Sequence, residues 1–128
     1  MNKAAVSYVE REDGKVLCVF NRRYKTWSLP GGKCEQNETL EAAQARELQE
    51  ETSMTTKSAI LVFDAPSCVE VEPDRGRQVY LFRVEAEGTP KENEAGCPVQ
   101  WMTRDELLEV SGFKEYYQEA FKVVLPKE

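Results

Sequence analysis

A chain of 128 residues, 41% hydrophobic and 31% charged, has the length and balance of one folded domain, which excludes a disordered or fibrous protein. Its net charge of −6 argues against a nucleic-acid polymer as partner, because phosphate backbones are held by excess Lys and Arg. The longest strongly apolar run, residues 59–63, is too short to span a bilayer, and residues 1–9 lack a secretion signal's apolar core and cleavage site, so a cytoplasmic protein with no membrane partner is expected.

Residues 4–10 and 15–21 read as strands, and the Asp13-Gly14 pair between them predicts a hairpin. Trp27-Ser28-Leu29-Pro30-Gly31-Gly32 follows. Its proline removes a backbone donor and its glycines permit unusual dihedrals, so a tight, exposed bend is predicted. Asn37 or Thr39 can cap a helix over 39–52, with Leu40, Ala43, Leu48 and Met54 as packing residues on an uneven apolar stripe. Further strands are expected at 59–64 or somewhat beyond, 78–86 and 99–102, with a turn signal at 74–76 and an exposed loop over 87–98. Thr103 or Asp105 can cap a short helix reaching about residue 110, and a final helix is expected over 114–123. This order implies an α/β or α+β sandwich with a mixed sheet, in a single domain over 1–128.

Cys18, Cys34, Cys68 and Cys97 form no C-x-x-C pair, and the chain has no histidine. That argues against a zinc site or a histidine-based triad and predicts reduced thiols, two or three of them in the core or in strands.

The most informative segment is 32–54. If it is helical, Glu50 and Glu51 both stand beside Glu47, since residues three and four apart share a face. Like charges so placed repel by roughly 0.2–0.5 kcal/mol per pair, so the arrangement gains most from a cation among them. Hard cations select oxygen ligands, and Mg²⁺ commonly takes a few carboxylates and completes its shell with phosphate and water. A metal ion can thus bridge an acidic pocket to a small anionic ligand, and Arg22, Arg23 and Lys33 lie nearby in sequence to meet phosphate. Tyr24 and Trp27, with Phe113, Tyr116 and Tyr117, are aromatic surfaces on which a base could stack.

Written as a pattern, the segment is Gly32, five residues, Glu38, seven residues, Arg46-Glu47-Leu48, one residue, Glu50-Glu51, one residue, Ser53-Met54. It resembles the Nudix box, departing only at Ser53, where the family has glycine. The preceding Trp-Ser-Leu-Pro-Gly-Gly and the later Trp101 with Asp105-Glu106-Leu107 extend the likeness through most of the chain. The resemblance implies a Nudix-type α/β/α sandwich and a metal-dependent pyrophosphohydrolase. Glu47, Glu50 and Glu51 would bind divalent metal, Mg²⁺ with Mn²⁺ as an alternative, and the Gly32 carbonyl and Glu94 would be further ligands. Glu38 and Arg46 would support the site, and Glu47 or Glu50, or else Glu94, would serve as general base. The substrate would be a small nucleotide, a (d)NTP or modified NTP cleaved to NMP and pyrophosphate as in MutT-type enzymes, by a protein that is a monomer or a homodimer. Alternative readings are an ADP-ribose or dinucleoside polyphosphate hydrolase, a non-catalytic Nudix-fold regulator, and an acidic Ca²⁺-binding domain, the last disfavoured because no Asp-rich calcium loop is present.

Overall fold

The structure, a computed structural model, describes residues 2–67 and 77–124; Cys68, the turn signal at 74–76 and residues 125–128 lie outside the described residues. Strands β1 (Lys3–Tyr8) and β2 (Val16–Asn21) are joined by the expected turn, in which Gly14 has φ of 85° and its N–H donates to the Arg11 carbonyl. They nevertheless do not form a hairpin ladder. Beyond the Glu10–Val16 bridge and the Leu17 N–H to Val9 carbonyl bond, they part into different sheets. Both strands are buried along most of their length, so each needs cover on two faces, which a two-stranded ribbon cannot give.

Five further strands complete the two sheets: β3 (Thr26–Ser28), β4 (Gly31–Lys33), β5 (Thr55–Pro66), β6 (Gln78–Glu87) and β7 (Val99–Met102). The larger sheet has the order β4-β1-β6-β5, mixed because β1 runs parallel to β6, and the smaller has the antiparallel order β3-β2-β7. β5 begins at Thr55, before the apolar run, because its polar start still pairs with β6 as an exposed edge. One core cluster, with Ala5, Leu17 and Phe82, lies under helix α1 (Leu40–Thr52). The other, with Tyr8, Leu29 and Leu81, packs against α2 (Arg104–Val110) and α3 (Lys114–Val123). Helices therefore flank the sheets as the sandwich reading expected.

Local signals account for the helices. The Thr39 hydroxyl accepts from the Ala42 N–H to start α1, and Thr103 with Glu106 forms a capping box at α2. The uneven stripe of α1 is explained by Gln44, a buried polar residue whose Nε2 donates to Ser7 Oγ and Thr56 Oγ1, both at 2.9 Å. Ala43, Leu48 and Met54 are buried as expected, and Leu40 is half-buried.

The bend before α1 differs from expectation. Leu29 and Pro30 are buried, and the glycines after them are not among the described residues with positive φ. They serve close approach instead: a Cβ on Gly31 would overlap Val6 of the paired strand, and one on Gly32 would overlap the Glu47 carboxylate.

Ser53 ends α1 with φ 68° and ψ 3°, a left-handed conformation in which its N–H donates to the Gln49 carbonyl at 2.9 Å. Ser53→Gly should therefore stabilise the fold by about 0.5–1 kcal/mol. A thermal melt should show a rise of about 2–4 °C, and an unchanged or lower Tm would mean that serine bears no strain there.

Among the described residues Cys18, Cys34 and Cys97 are free thiols, and burial in β2 pushes the Cys18 thiol up to about 12. No helix among the described residues is long and apolar enough to cross a membrane.

Candidate functional site

The site grows from the junction of β4 with α1. Because Gly32 lacks a side chain, the Glu47 carboxylate lies directly against that strand. One turn on, Glu51 Oε1 accepts the Gly31 N–H at 2.8 Å. Burial pushes the Glu51 carboxyl up to about 9, and the charges of Glu47, Glu94 and Glu50 add to that rise while the Gly31 N–H opposes it. Glu47 is also raised, first by burial, with Arg46 pulling it back. Two half-buried carboxylates on one helix face, each made harder to ionise chiefly by burial, are a donor set of hard oxygen atoms that a divalent cation would relieve.

Arg46 braces this arrangement. Its Nε and Nη2 reach the two oxygens of Glu38 at 2.8 and 3.0 Å, its Nη2 also donates to the Lys33 carbonyl at 3.1 Å, and its Nη1 meets Glu47 at 3.1 Å and Glu50 at 3.2 Å. The bidentate contact holds the Glu38 carboxyl down at about 2 and joins the loop before α1 to the helix. Glu50, more exposed than Glu47, turns toward this arginine. Among the described residues no three acidic or cysteine side chains form a ready-made metal cage, because Arg46 bridges Glu47 and Glu50 while Glu51 is bonded to β4.

Two clefts open beside these glutamates. One is lined by Glu51, Glu94, Arg22 and Arg23, which brings the loop glutamate to the helix glutamates. The other, of about 260 Å³, is lined by Gly32, Lys33 and Glu47 together with Tyr24, Phe113, Tyr116 and Tyr117. An apolar, aromatic recess beside a carboxylate cluster is suited to a ligand with a flat ring at one end and phosphates at the other.

A family model described as the NUDIX domain matches residues 1–123. The chain belongs to the Nudix family. It is 34% identical over 102 residues to a MutT-like protein of Streptomyces ambofaciens, a match covering 79% of this chain and 63% of that protein. It is 42% identical over 77 residues to the 8-oxo-dGTP diphosphatase of Escherichia coli, a match covering 59% of this chain and 56% of that protein. The matched stretch thus spans less than two thirds of either relative. In fold it superposes on the crystal structure of a MutT NUDIX hydrolase from Burkholderia pseudomallei with a TM-score of 0.77, at 19% identity, covering 97% of this chain and 98% of that one.

With the Nudix box located on β4 and α1, the expected site residues sort by position. Glu47, Glu51 and Glu94 face the clefts, Gly32 and Lys33 form a rim, and Glu38 and Arg46 stand behind them as a brace. Arg23 borders both clefts, with its guanidinium 5.4 Å from the Tyr24 ring, and Tyr24 packs edge-on against Phe113 at 5.8 Å. Trp27 lines neither cleft; its half-buried ring packs edge-on against Phe20 at 5.6 Å. Arg22 is committed in part to structure, donating from Nη1 to the Ala95 carbonyl at 2.7 Å. Both inner tyrosine hydroxyls are also engaged: Tyr117 accepts the Leu29 N–H at 2.9 Å and Tyr116 donates to the Val79 carbonyl at 3.0 Å. Their rings are buried as well, Tyr117 stacked on Phe121 at 5.8 Å and Tyr116 edge-on to Phe63 at 5.3 Å, so they wall the cleft, and Asn21 and Ser28, which the sequence did not single out, bring polar side chains to it. No short-range pattern marks either residue, since it is the fold that carries them to the cleft.

Proposed function

We infer that this protein is a Mg²⁺-dependent nucleotide pyrophosphohydrolase that cleaves a (d)NTP or modified NTP, with water, to the monophosphate and pyrophosphate. The observation that carries this reading is the half-buried Glu47–Glu51 pair opening onto both the Glu94 cleft and the aromatic recess. Glu47, Glu50 and Glu51, with Glu94 and the Gly32 carbonyl, would hold Mg²⁺ or Mn²⁺. That cation would neutralise charge on the pyrophosphate and make water more acidic. The chain's own part is to place the triphosphate near Arg23 and Lys33, stack the base against Tyr24 and Phe113, and accept the attacking water's proton on a glutamate. Glu47 or Glu50 would serve as that base, with Glu94 as an alternative.

The Escherichia coli relative's name directs attention to oxidised purine triphosphates, and Tyr24 and Phe113 line the recess. Incubating the protein with Mg²⁺ and canonical and oxidised (d)NTPs, ADP-ribose and a dinucleoside polyphosphate should release pyrophosphate from a triphosphate, measured as phosphate after pyrophosphatase. Turnover of ADP-ribose or the dinucleotide alone would move the substrate class. Phosphate release no greater than that of Glu51→Gln across the panel would overturn the hydrolase reading.

A further inference from the structure

The loop after β6, residues 88–98, is exposed over 91–96, yet it is fastened to the rest of the protein. The Lys91 N–H donates to the Thr52 carbonyl at 3.0 Å, and the Asn93 side chain donates from Nδ2 to the Gln49 carbonyl at 3.2 Å and the Glu50 carbonyl at 2.9 Å. Within the turn that follows, the Gly96 N–H donates to Glu92 Oε2 at 3.1 Å and the Cys97 N–H to the Glu94 carbonyl at 3.0 Å. Arg22 clasps the far side through the Ala95 carbonyl, and Gly96 next to it has φ of 79°, a backbone conformation that favours glycine.

Ordering an exposed polar loop costs backbone entropy and buries little apolar surface in return. What this ordering does accomplish is to fix the backbone that carries Glu94. The carbonyls that Asn93 takes belong to the last turn of α1, where helix carbonyls want external donors, and they are the backbone of the same turn that carries Glu50 and Glu51. The loop and the glutamate helix are thereby joined through the Lys91 N–H and, immediately before Glu94, through the Asn93 side chain.

We propose that Asn93 is a positioning residue: by clasping the Gln49 and Glu50 carbonyls it locks the 92–97 turn to α1, so that Glu94 is held facing Glu51 across their shared cleft. The inference rests on the assignment of Glu94 to the metal centre made above. Asn93 acts through Glu94 and touches neither substrate nor cation. Arg22 is the second clasp, on the opposite side of the turn.

The test is a double-mutant cycle read by Mn²⁺ binding to the nucleotide-free protein, followed by the electron paramagnetic resonance signal of the free ion. Asn93→Ala, and Asn93→Asp, which keeps the shape but loses the donor, should each weaken Mn²⁺ binding about 10-fold and lower kcat with little change in KM. Thermal melts of both variants should stay within about 2 °C of wild type, as for an exposed side chain. In a Glu94→Gln background, either Asn93 substitution should change Mn²⁺ affinity by less than about 2-fold, since the group it positions is already removed. If Glu94→Gln weakens binding but the Asn93 substitutions do nothing, or their losses simply multiply with it, the positioning role is overturned and Glu94 keeps its own. If Glu94→Gln alone leaves both Mn²⁺ binding and turnover unchanged, the assignment of Glu94 falls, and the role of Asn93 with it.

Discussion

Glu51→Gln is expected to lower kcat in Mg²⁺ by on the order of 10³-fold while leaving the metal-free protein as stable as wild type or more so. The two effects have opposite signs because one carboxyl serves function at the expense of the fold. Its value of about 9 lies above the ordinary 4.5, chiefly through burial and then through Glu47 and Glu94, so folding favours the protonated acid. The stability it contributes is full below about pH 4.5 and is lost as pH rises toward about 9. Metal-free wild type should lose stability over that window, with a slope from this group of at most about 1.4 kcal/mol per pH unit. A glutamine amide can keep an oxygen on the Gly31 N–H and carries no charge at any pH, so the variant's slope should be flatter. Mg²⁺ must displace the same proton, and its affinity should rise by up to about tenfold per pH unit below the carboxyl's value. Thermal melts in chelator from about pH 5 to about pH 9, with Mg²⁺ calorimetry in two buffers of different ionisation enthalpy, measure both. Parallel melting curves for wild type and variant, or binding without proton release near pH 7, would refute this account of Glu51.

Arg46→Ala is expected to cost about 1–2 kcal/mol of stability and about 10–100-fold in turnover, and Arg46→Lys should recover little of either. The guanidinium uses its fork geometry fully: two contacts to Glu38, one each to Glu47 and Glu50, and a bond to the Lys33 carbonyl. An ammonium group carries its three donors on a single nitrogen and lacks the planar fork, so it cannot span the loop and the helix as the guanidinium does. Removing the charge also releases Glu47 from the partner that now pulls its carboxyl down, so the acidic limb of the activity profile should move to higher pH. A pH profile of kcat/KM for both variants, with a thermal melt, checks the prediction. Full activity in Arg46→Lys would show that positive charge alone suffices and that the bidentate brace does not matter.

The two predictions draw on different kinds of information in the chain. Arg46 with Glu38, and Glu47 with Glu50 and Glu51, are legible because helix geometry fixes which residues three and four apart are neighbours. The same short range made Thr39 and Thr103 readable as caps, and Ser53 readable as a departure at a left-handed position. The Asp13-Gly14 turn was legible too, but its consequence was not, because the turn sets a local reversal and says nothing about which partner completes each strand's ladder. Trp27 shows the same limit from the side-chain end: its place beside the Nudix box does not say which ring it meets, and packing sets it edge-on against Phe20.

The sequence by itself determined the glutamate helix, its caps, its bracing arginine and the family to which the chain belongs, since all of these are written in spacings within a few helical turns. Tertiary structure alone decided that β1 and β2 enter different sheets, and that Gly31 and Gly32 are needed for close approach rather than for unusual dihedrals. It also decided that Asn93 reaches back across more than forty residues to the end of α1. These are contacts between segments far apart in the chain, formed only when burial of the two cores brings the segments together, and no local pattern of residues encodes them.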